Sequence, residues 1–419
     1  MQYRPIHAAT VGLTLAAIVL SPAVGAAAVF QLDFNGTGSI TQSGYVGMGP
    51  AAEENSAFTH EAVFTDAFGA GENVTVYFSG NRAKQRAVLT GSYEGQSALL
   101  RDWYGKDSIA SFSLSLTLPY GTYKLTSFHH DVIATSTTTI IIDLVDAAKT
   151  NSTTVSQTYG SAPEAIGTFT GNVTSNGAAA VTLTYNATGQ IGINGLHLEP
   201  FGFWSNPSGG LWSSEDNWLH GHVAAGADTI ASFRGVDIEA DVTVNLDSSQ
   251  TLYGLIFDDA NAASPAGWRI DNNGNPANTI TLSSSASTIR VNTLGAGKVA
   301  EIAATLEGDG IVKDGVGTLV LSGSNTYTGT TTVSAGVLSA QHNSALGSTG
   351  GGTVVSNGAA LELQGGVSIA GESLTITGTG VGSGGVLRSV SGTNAWTGAI
   401  ALSGNSSIGV AADTLTLSG

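Results

Sequence analysis

Residues 315–333 read GVGTLVLSGSNTYTGTTTV, and this stretch decides the fold. Leu319 and Leu321 alternate with Thr318, Val320 and Ser322, the period-two signature of a half-buried strand. Gly317, Gly323 and Gly329 punctuate it, and Gly336 does the same after the next short strand. Asn325-Thr326-Tyr327-Thr328-Gly329 is echoed by Asn394-Ala395-Trp396-Thr397-Gly398. Thr318 to Gly323 is echoed by Thr414 to Gly419, with Val333–Leu338 and Ala360–Leu363 between the copies. Short alternating strands separated by Gly and Asn predict a parallel β-helix. Each strand pairs with its equivalent one coil away, Gly takes the corners, and stacked Asn can form ladders. One coil cannot bury its apolar face, whereas a stack can.

Upstream of this array the pattern changes. From Val29 to Pro200 there is alternation without repetition. Phe112, Leu114, Leu116 and Leu118 alternate with Ser113, Ser115 and Thr117. Pro119-Tyr120-Gly121 follows, then a second strand over Tyr123–His129, so the pair reads as a hairpin. Further strands are expected at Phe30–Phe34, Val74–Phe78, Thr139–Val145, Ala180–Tyr185 and Ile191–Leu198. This spacing predicts an antiparallel, jelly-roll-like β-sandwich over residues 28–200. Residues 201–307 carry Trp204, Trp212 and Trp218 around Ser208-Gly209-Gly210 and read as a cap with the first β-helix rungs. Such Trp residues could also stack on sugars, but clustered at a domain junction they read as cap core. Residues 308–419 are the repeat array.

Residues 315–333, continued by Ala335-Gly336-Val337-Leu338 and Ala345-Leu346-Gly347, resemble the autotransporter-associated β-strand repeat. The resemblance covers about residues 308–419, and the Trp-bearing segment from Trp204 is similar to the lead-in of such arrays. It implies a right-handed parallel β-helix on a secreted or surface-anchored bacterial protein. Members of the family carry either an outer-membrane β-barrel or a Pro-Glu-Pro sorting signal at the C-terminus. Neither is visible by Gly419, where the echo stops mid-repeat, so the expectation is a truncated array with its cell-envelope anchor in a missing C-terminal part. Residues 28–200 resemble malectin-like or galactose-binding-like sandwiches more loosely. The residues that carry this are Gln31-Leu32-Asp33-Phe34, Gly121-Thr122-Tyr123 ahead of His129-His130-Asp131, and Ile193-Asn194-Gly195-Leu196.

The N-terminus reads as a signal peptide over residues 1–27. Arg4 supplies the positive region, Ala8–Leu20 the apolar run, and small residues follow Ser21-Pro22, with cleavage expected near Ala26. The 419-residue chain carries 14 basic and 31 acidic residues, a net charge of −17, which argues against nucleic acid and against anionic lipid as partners. It contains no Cys, so disulfide staples and thiolate metal sites are excluded.

Motifs for nucleophilic hydrolysis, zinc proteolysis, phosphate binding and dinucleotide binding are absent, so no cofactor or metal is expected. A polysaccharide lyase needs grouped carboxylates with a Lys or Arg. After Asp314 only Glu362, Glu372, Arg388 and Asp413 are charged, and they read as scattered singly. Asp102-Trp103-Tyr104 and His129-His130-Asp131 form the candidate carbohydrate site, with Trp103 or Tyr104 as the stacking platform. Adjacent strand residues point to opposite faces, so the plainer reading makes one His a core residue and the other a surface residue. A metal or catalytic site is the third reading. Gly317, Leu319, Leu321, Gly323, Asn325, Tyr327, Gly329 and Gly336 read as structural repeat positions. The expectation is a non-catalytic, secreted or cell-surface display protein, a β-helix stalk carrying a sandwich that takes extracellular polysaccharide. The alternative is an extracellular carbohydrate-active enzyme, with its catalytic module in the sandwich or beyond residue 419.

Overall fold

A computed structural model describes residues 29–34, 46–48, 58–65, 67, 72–80, 82–85, 102–106, 110–131, 137–159, 166–189 and 191–419. The signal-peptide reading of residues 1–27 lies outside them. The described residues form strands and short 3-10 turns, with no α-helix among them.

The N-terminal part is a jelly roll. One sheet sets Phe30–Phe34, Gly195–Phe201, Gly121–Asp131 and Gly167–Ser175 side by side, all antiparallel. The facing sheet sets Ala110–Thr117, Val181–Ala187, Thr138–Val145 and Thr150–Tyr159 side by side, again antiparallel. Taken in chain order, these strands fall as first, eighth, third, sixth in one sheet and second, seventh, fourth, fifth in the other. That interleaving is two Greek keys closed on each other. A hairpin of Phe58–Phe64 and Val74–Gly80 widens the second sheet. Inward residues of both sheets fill the core, where Phe112, Leu114 and Leu116 are at most 3% exposed. Phe78, Phe112 and Tyr185 stack through it at ring separations of 5.1 and 4.6 Å.

The jelly-roll order corrects the hairpin reading of residues 112–129. Ala110–Thr117 pairs with Val181–Ala187 and Val74–Gly80, while Gly121–Asp131 belongs to the other sheet. Pro119-Tyr120-Gly121 therefore carries the chain from one sheet to the other. Locally the turn chemistry of a hairpin and of a sheet-to-sheet crossing is the same. Partners distant in sequence decide between them.

From residue 203 onward the strands pair in parallel, beginning at the bridge Phe203–Ser232, while an isolated antiparallel bridge joins Trp204 to Trp218 in the cap. A nine-stranded and a ten-stranded parallel sheet run up two flanks, and a three-stranded one begins on a third flank at Ser368–Ile369. Inward positions form columns. Val244, Ile270, Ile302, Leu321, Ala340 and Leu363 stack in register on one flank. Leu255, Ile289, Lys313, Val333, Val355 and Ile376 stack on another. Lys313 is the surprise in that column. It is fully buried, and its ammonium donates to the carbonyls of Asp314, Gly315 and Ala335 at 3.0, 2.8 and 3.0 Å. Burial pulls its pKa down to about 8. The charge is tolerated because its protons meet backbone carbonyls.

The first coil is closed by aromatic residues. Trp204, Trp212 and Trp218 are at most 2% exposed and surround Phe233 at ring separations of 5.8 to 6.0 Å. Each indole N–H reaches a backbone carbonyl, of Asn206, Ala224 and Trp212 respectively. At the far end, Leu402, Ile408, Val410 and Leu417 are 62, 41, 52 and 42% exposed on the last coil.

Jelly roll and solenoid are joined by a dense contact that sequence reading did not anticipate. Tyr120 packs with Ile230, Ile256 and Tyr253. The Tyr253 hydroxyl donates to the Ala147 carbonyl at 2.7 Å, and the Tyr120 hydroxyl to that of Thr288 at 3.2 Å. The Ile230 N–H donates to Thr122 Oγ1 at 2.9 Å. Arg234 pairs with Glu72 at 2.6 Å and lies 5.0 Å above the Phe203 ring.

Candidate functional site

The strand Gly121–Asp131 brings His129 and His130 to the end of the jelly roll where the two sheets meet. There Thr158 and Tyr159 pair with His130 and Asp131 in the parallel sense. The segment 191–194 runs alongside, donating from the Asn194 N–H to the Phe128 carbonyl at 2.8 Å. On its other side Ile191–Ile193 pairs with the strand Asp102–Lys106, setting Tyr104 opposite Ile193. Trp103 and Asp102 pair in turn with Lys84 and Gln85. The fold therefore places both halves of the candidate site against one short segment, although they are far apart in sequence. Asp102, Trp103, Tyr104 and Asp131 are positioned here by backbone register, and their side chains lie outside the described residues.

His129 is fully buried beside Tyr185. Its Nδ1 is 2.7 Å from the Gly192 carbonyl, and its Nε2 is 2.8 Å from Ser127 Oγ. A carbonyl only accepts, so Nδ1 carries the proton and Nε2 accepts from Ser127. Burial holds the pKa down at about 4, so the ring is neutral at physiological pH. Both nitrogens are engaged, and neither is left to take a metal ion or a substrate proton. His130 is also fully buried. Its N–H donates to Asn194 Oδ1 at 2.7 Å, and its Nδ1 lies 2.8 Å from Thr158 Oγ1. This corrects the expectation of one core and one surface histidine. The sheet junction covers the second face of the strand as well as the first. Among the described residues no group of three or more His, Cys, Asp or Glu is arranged to hold a metal ion.

The repeat positions show why these residue types recur. Leu319 and Leu321 are fully buried in the stack. Asn325 accepts from the Leu306 N–H at 2.9 Å and donates to the Ala345 carbonyl at 2.7 Å, stapling the coils on either side. Its echo Asn394 accepts from the Val367 N–H at 2.9 Å. These amides bond to backbone, so the expected ladder of Asn on Asn is replaced by Asn on main chain. Tyr327 is buried with its hydroxyl 2.7 Å from Thr331 Oγ1, and Trp396 takes the equivalent place 69 residues on. Gly323 passes so close to the coil below that a Cβ would stand 2.6 Å from the Ala304 carbonyl oxygen, and at Gly317 and Gly329 the closest approaches are 2.3 and 2.7 Å. Gly336 has φ 63°. Glu362 and Arg388, read as isolated charges, are partners at 3.2 Å, because one coil separates them.

Residues 311–340 match the passenger-associated-transport-repeat family. The solenoid carries the autotransporter-associated repeat. The matched span contains every repeat position named above, from Gly317 to Gly336. A relative that carries this type of name is the adhesin BmaC autotransporter of Brucella suis biovar 1 (strain 1330). It is 43% identical over 221 residues, which is 51% of this chain and 6% of the relative. The chain thus spans a small fraction of that protein's length. Among solved structures, an isomalto-dextranase of Arthrobacter globiformis T6 in complex with panose matches with a TM-score of 0.19 and 14% identity. The match covers 42% of this chain and 33% of that one, and at this score it bears on neither fold nor function. The autotransporter-associated repeat therefore rests on residues 311–340 and on the stacked coils they form.

Proposed function

We propose that the chain is an adhesion and display module outside a bacterial cell, in which the solenoid is a stiff stalk and the jelly roll is a head that takes extracellular polysaccharide. The observation that carries the reading is the autotransporter-associated repeat built into an uninterrupted parallel stack. The adhesin relative supports it. A stack of backbone-paired coils resists shear along its axis without disulfides, which suits a chain with no Cys. The candidate sugar platform is the strand Asp102–Lys106, held beside the segment 191–194.

Catalysis by the head is disfavoured by the state of His129, whose ring is neutral and fully bonded. A glycan array combined with a reducing-sugar assay separates binding from turnover. Retention of a glycan without release of reducing ends is expected. Release of reducing ends would instead make the chain a carbohydrate-active enzyme.

A further inference from the structure

On the solenoid flank, far along the chain from the head, a cavity of about 420 Å³ opens where the third parallel sheet begins. Its lower wall is the loop that carries Asn343, Ser344, Leu346 and Thr349, and its upper wall is the strand Ser368–Ile369 with Glu372. The sheet starts at this strand, so its lower edge lacks a strand partner. Asn343 partly fills that place by accepting from the Ser368 N–H at 2.8 Å.

Glu372 is only 2% exposed, and it is the one charged group in the lining. Its Oε1 accepts from Thr353 Oγ1 at 2.9 Å. The carboxylate has further lone pairs, and among the described residues no second donor is hydrogen-bonded to them. Leu346 and Ile369 are buried apolar residues beside it, and Ser344, Ser368 and Thr349 add hydroxyls.

We propose that this cavity is a second binding site, which takes one neutral pyranose unit of a polysaccharide. Ring hydroxyls donate to Glu372, and the apolar C–H face lies on Leu346 and Ile369. A calcium site would need six to eight oxygens with several carboxylates, and the lining offers one carboxylate. An acidic sugar would meet both Glu372 and a chain of net charge −17. A neutral sugar meets neither obstacle, and the volume is that of a small-ligand cleft. The proposal extends the adhesion reading from the head to the stalk, so the test must tell the two apart.

The intact chain would be titrated calorimetrically with maltotriose, cellotriose, mannotriose and galactotriose. Glu372→Gln keeps the Thr353 bond and removes the charge, and Ala370→Trp fills the mouth from an exposed position. With the head silenced by Trp103→Ala in every chain compared, binding of at least one trisaccharide is expected to persist, to weaken at least tenfold on adding Glu372→Gln and to be lost on adding Ala370→Trp. Absence of binding by all four sugars, or binding indifferent to both flank variants, overturns the proposal. Binding lost only with Trp103→Ala also overturns it, while leaving the head reading intact.

Discussion

Arg234, on the first coil of the solenoid, donates from Nη2 to the Tyr123 hydroxyl of the jelly roll at 3.1 Å. The same guanidinium pairs with Glu72 and covers Phe203. Its side chain is 9% exposed, so its positive charge is held almost wholly by these partners. Burial raises the Glu72 pKa, with Arg234 opposing the rise. Removing one member of a buried charged set leaves the other unpaired, at a cost of about 3–5 kcal/mol. Arg234→Met is therefore expected to split one calorimetric unfolding transition into two, with the jelly roll melting first. A single transition at the wild-type temperature would show that the two parts are not coupled through this residue.

The pH dependence of the head follows from His129. Its folded pKa of about 4 lies below the ordinary 6.5, so the unfolded chain takes up the proton first as pH falls. The stability from the neutral ring is complete above about pH 6.5 and is lost as pH falls toward 4, by roughly 3 kcal/mol at the lower end. In His129→Gln an amide can make the same two hydrogen bonds without titrating. Urea unfolding at pH 7.5 and 4.5 is expected to show a wild-type loss well beyond that of the variant. Equal losses in both would place the acid sensitivity elsewhere.

Two glycines test the corner geometry. Gly336 and Gly358 both hold positive φ, at 63° and 84°. A Cβ on Gly336 would stand 2.5 Å from the carbonyl oxygens of Gly315 and Gly317, whereas one on Gly358 meets nothing within 4 Å. Alanine at Gly358 is expected to cost about 1 kcal/mol of backbone strain, and alanine at Gly336 clearly more. Matching thermal shifts for the two variants would contradict the close stacking of coils at that corner.

Sequence reading went furthest where structure is local. The alternation around Leu319 and Leu321, with Gly at each corner, already implies the parallel stack, because side-chain period and corner residues are set within one coil. The inward run of Phe112, Leu114 and Leu116 was equally legible. The order of the jelly-roll strands was not, since Pro119-Tyr120-Gly121 has the same composition in a hairpin and in a crossing between sheets. The junction escaped notice because Tyr120, Ala147, Arg234 and Tyr253 are single residues with no motif around them. Glu362 and Arg388 looked unrelated for the opposite reason: a solenoid makes neighbours of residues one coil apart, and the irregular coil length hides that spacing. Of the candidate site, the pairing of Tyr104 with Ile193 explains how the Trp-Tyr and His-His segments come together. The buried state of His130 could not be read from alternation, which knows only the two faces of a lone strand.

The most direct measurement of the adhesion reading is retention under flow. Beads coated with the 419-residue chain would be passed over surfaces bearing neutral polysaccharides, beside uncoated beads and beads coated with the Trp103→Ala, Glu372→Gln double variant. The account predicts that the wild-type chain holds beads on at least one polysaccharide, that free oligosaccharide releases them without being cleaved, and that the double variant holds fewer. Wild-type beads that wash off every surface as readily as uncoated beads would contradict it.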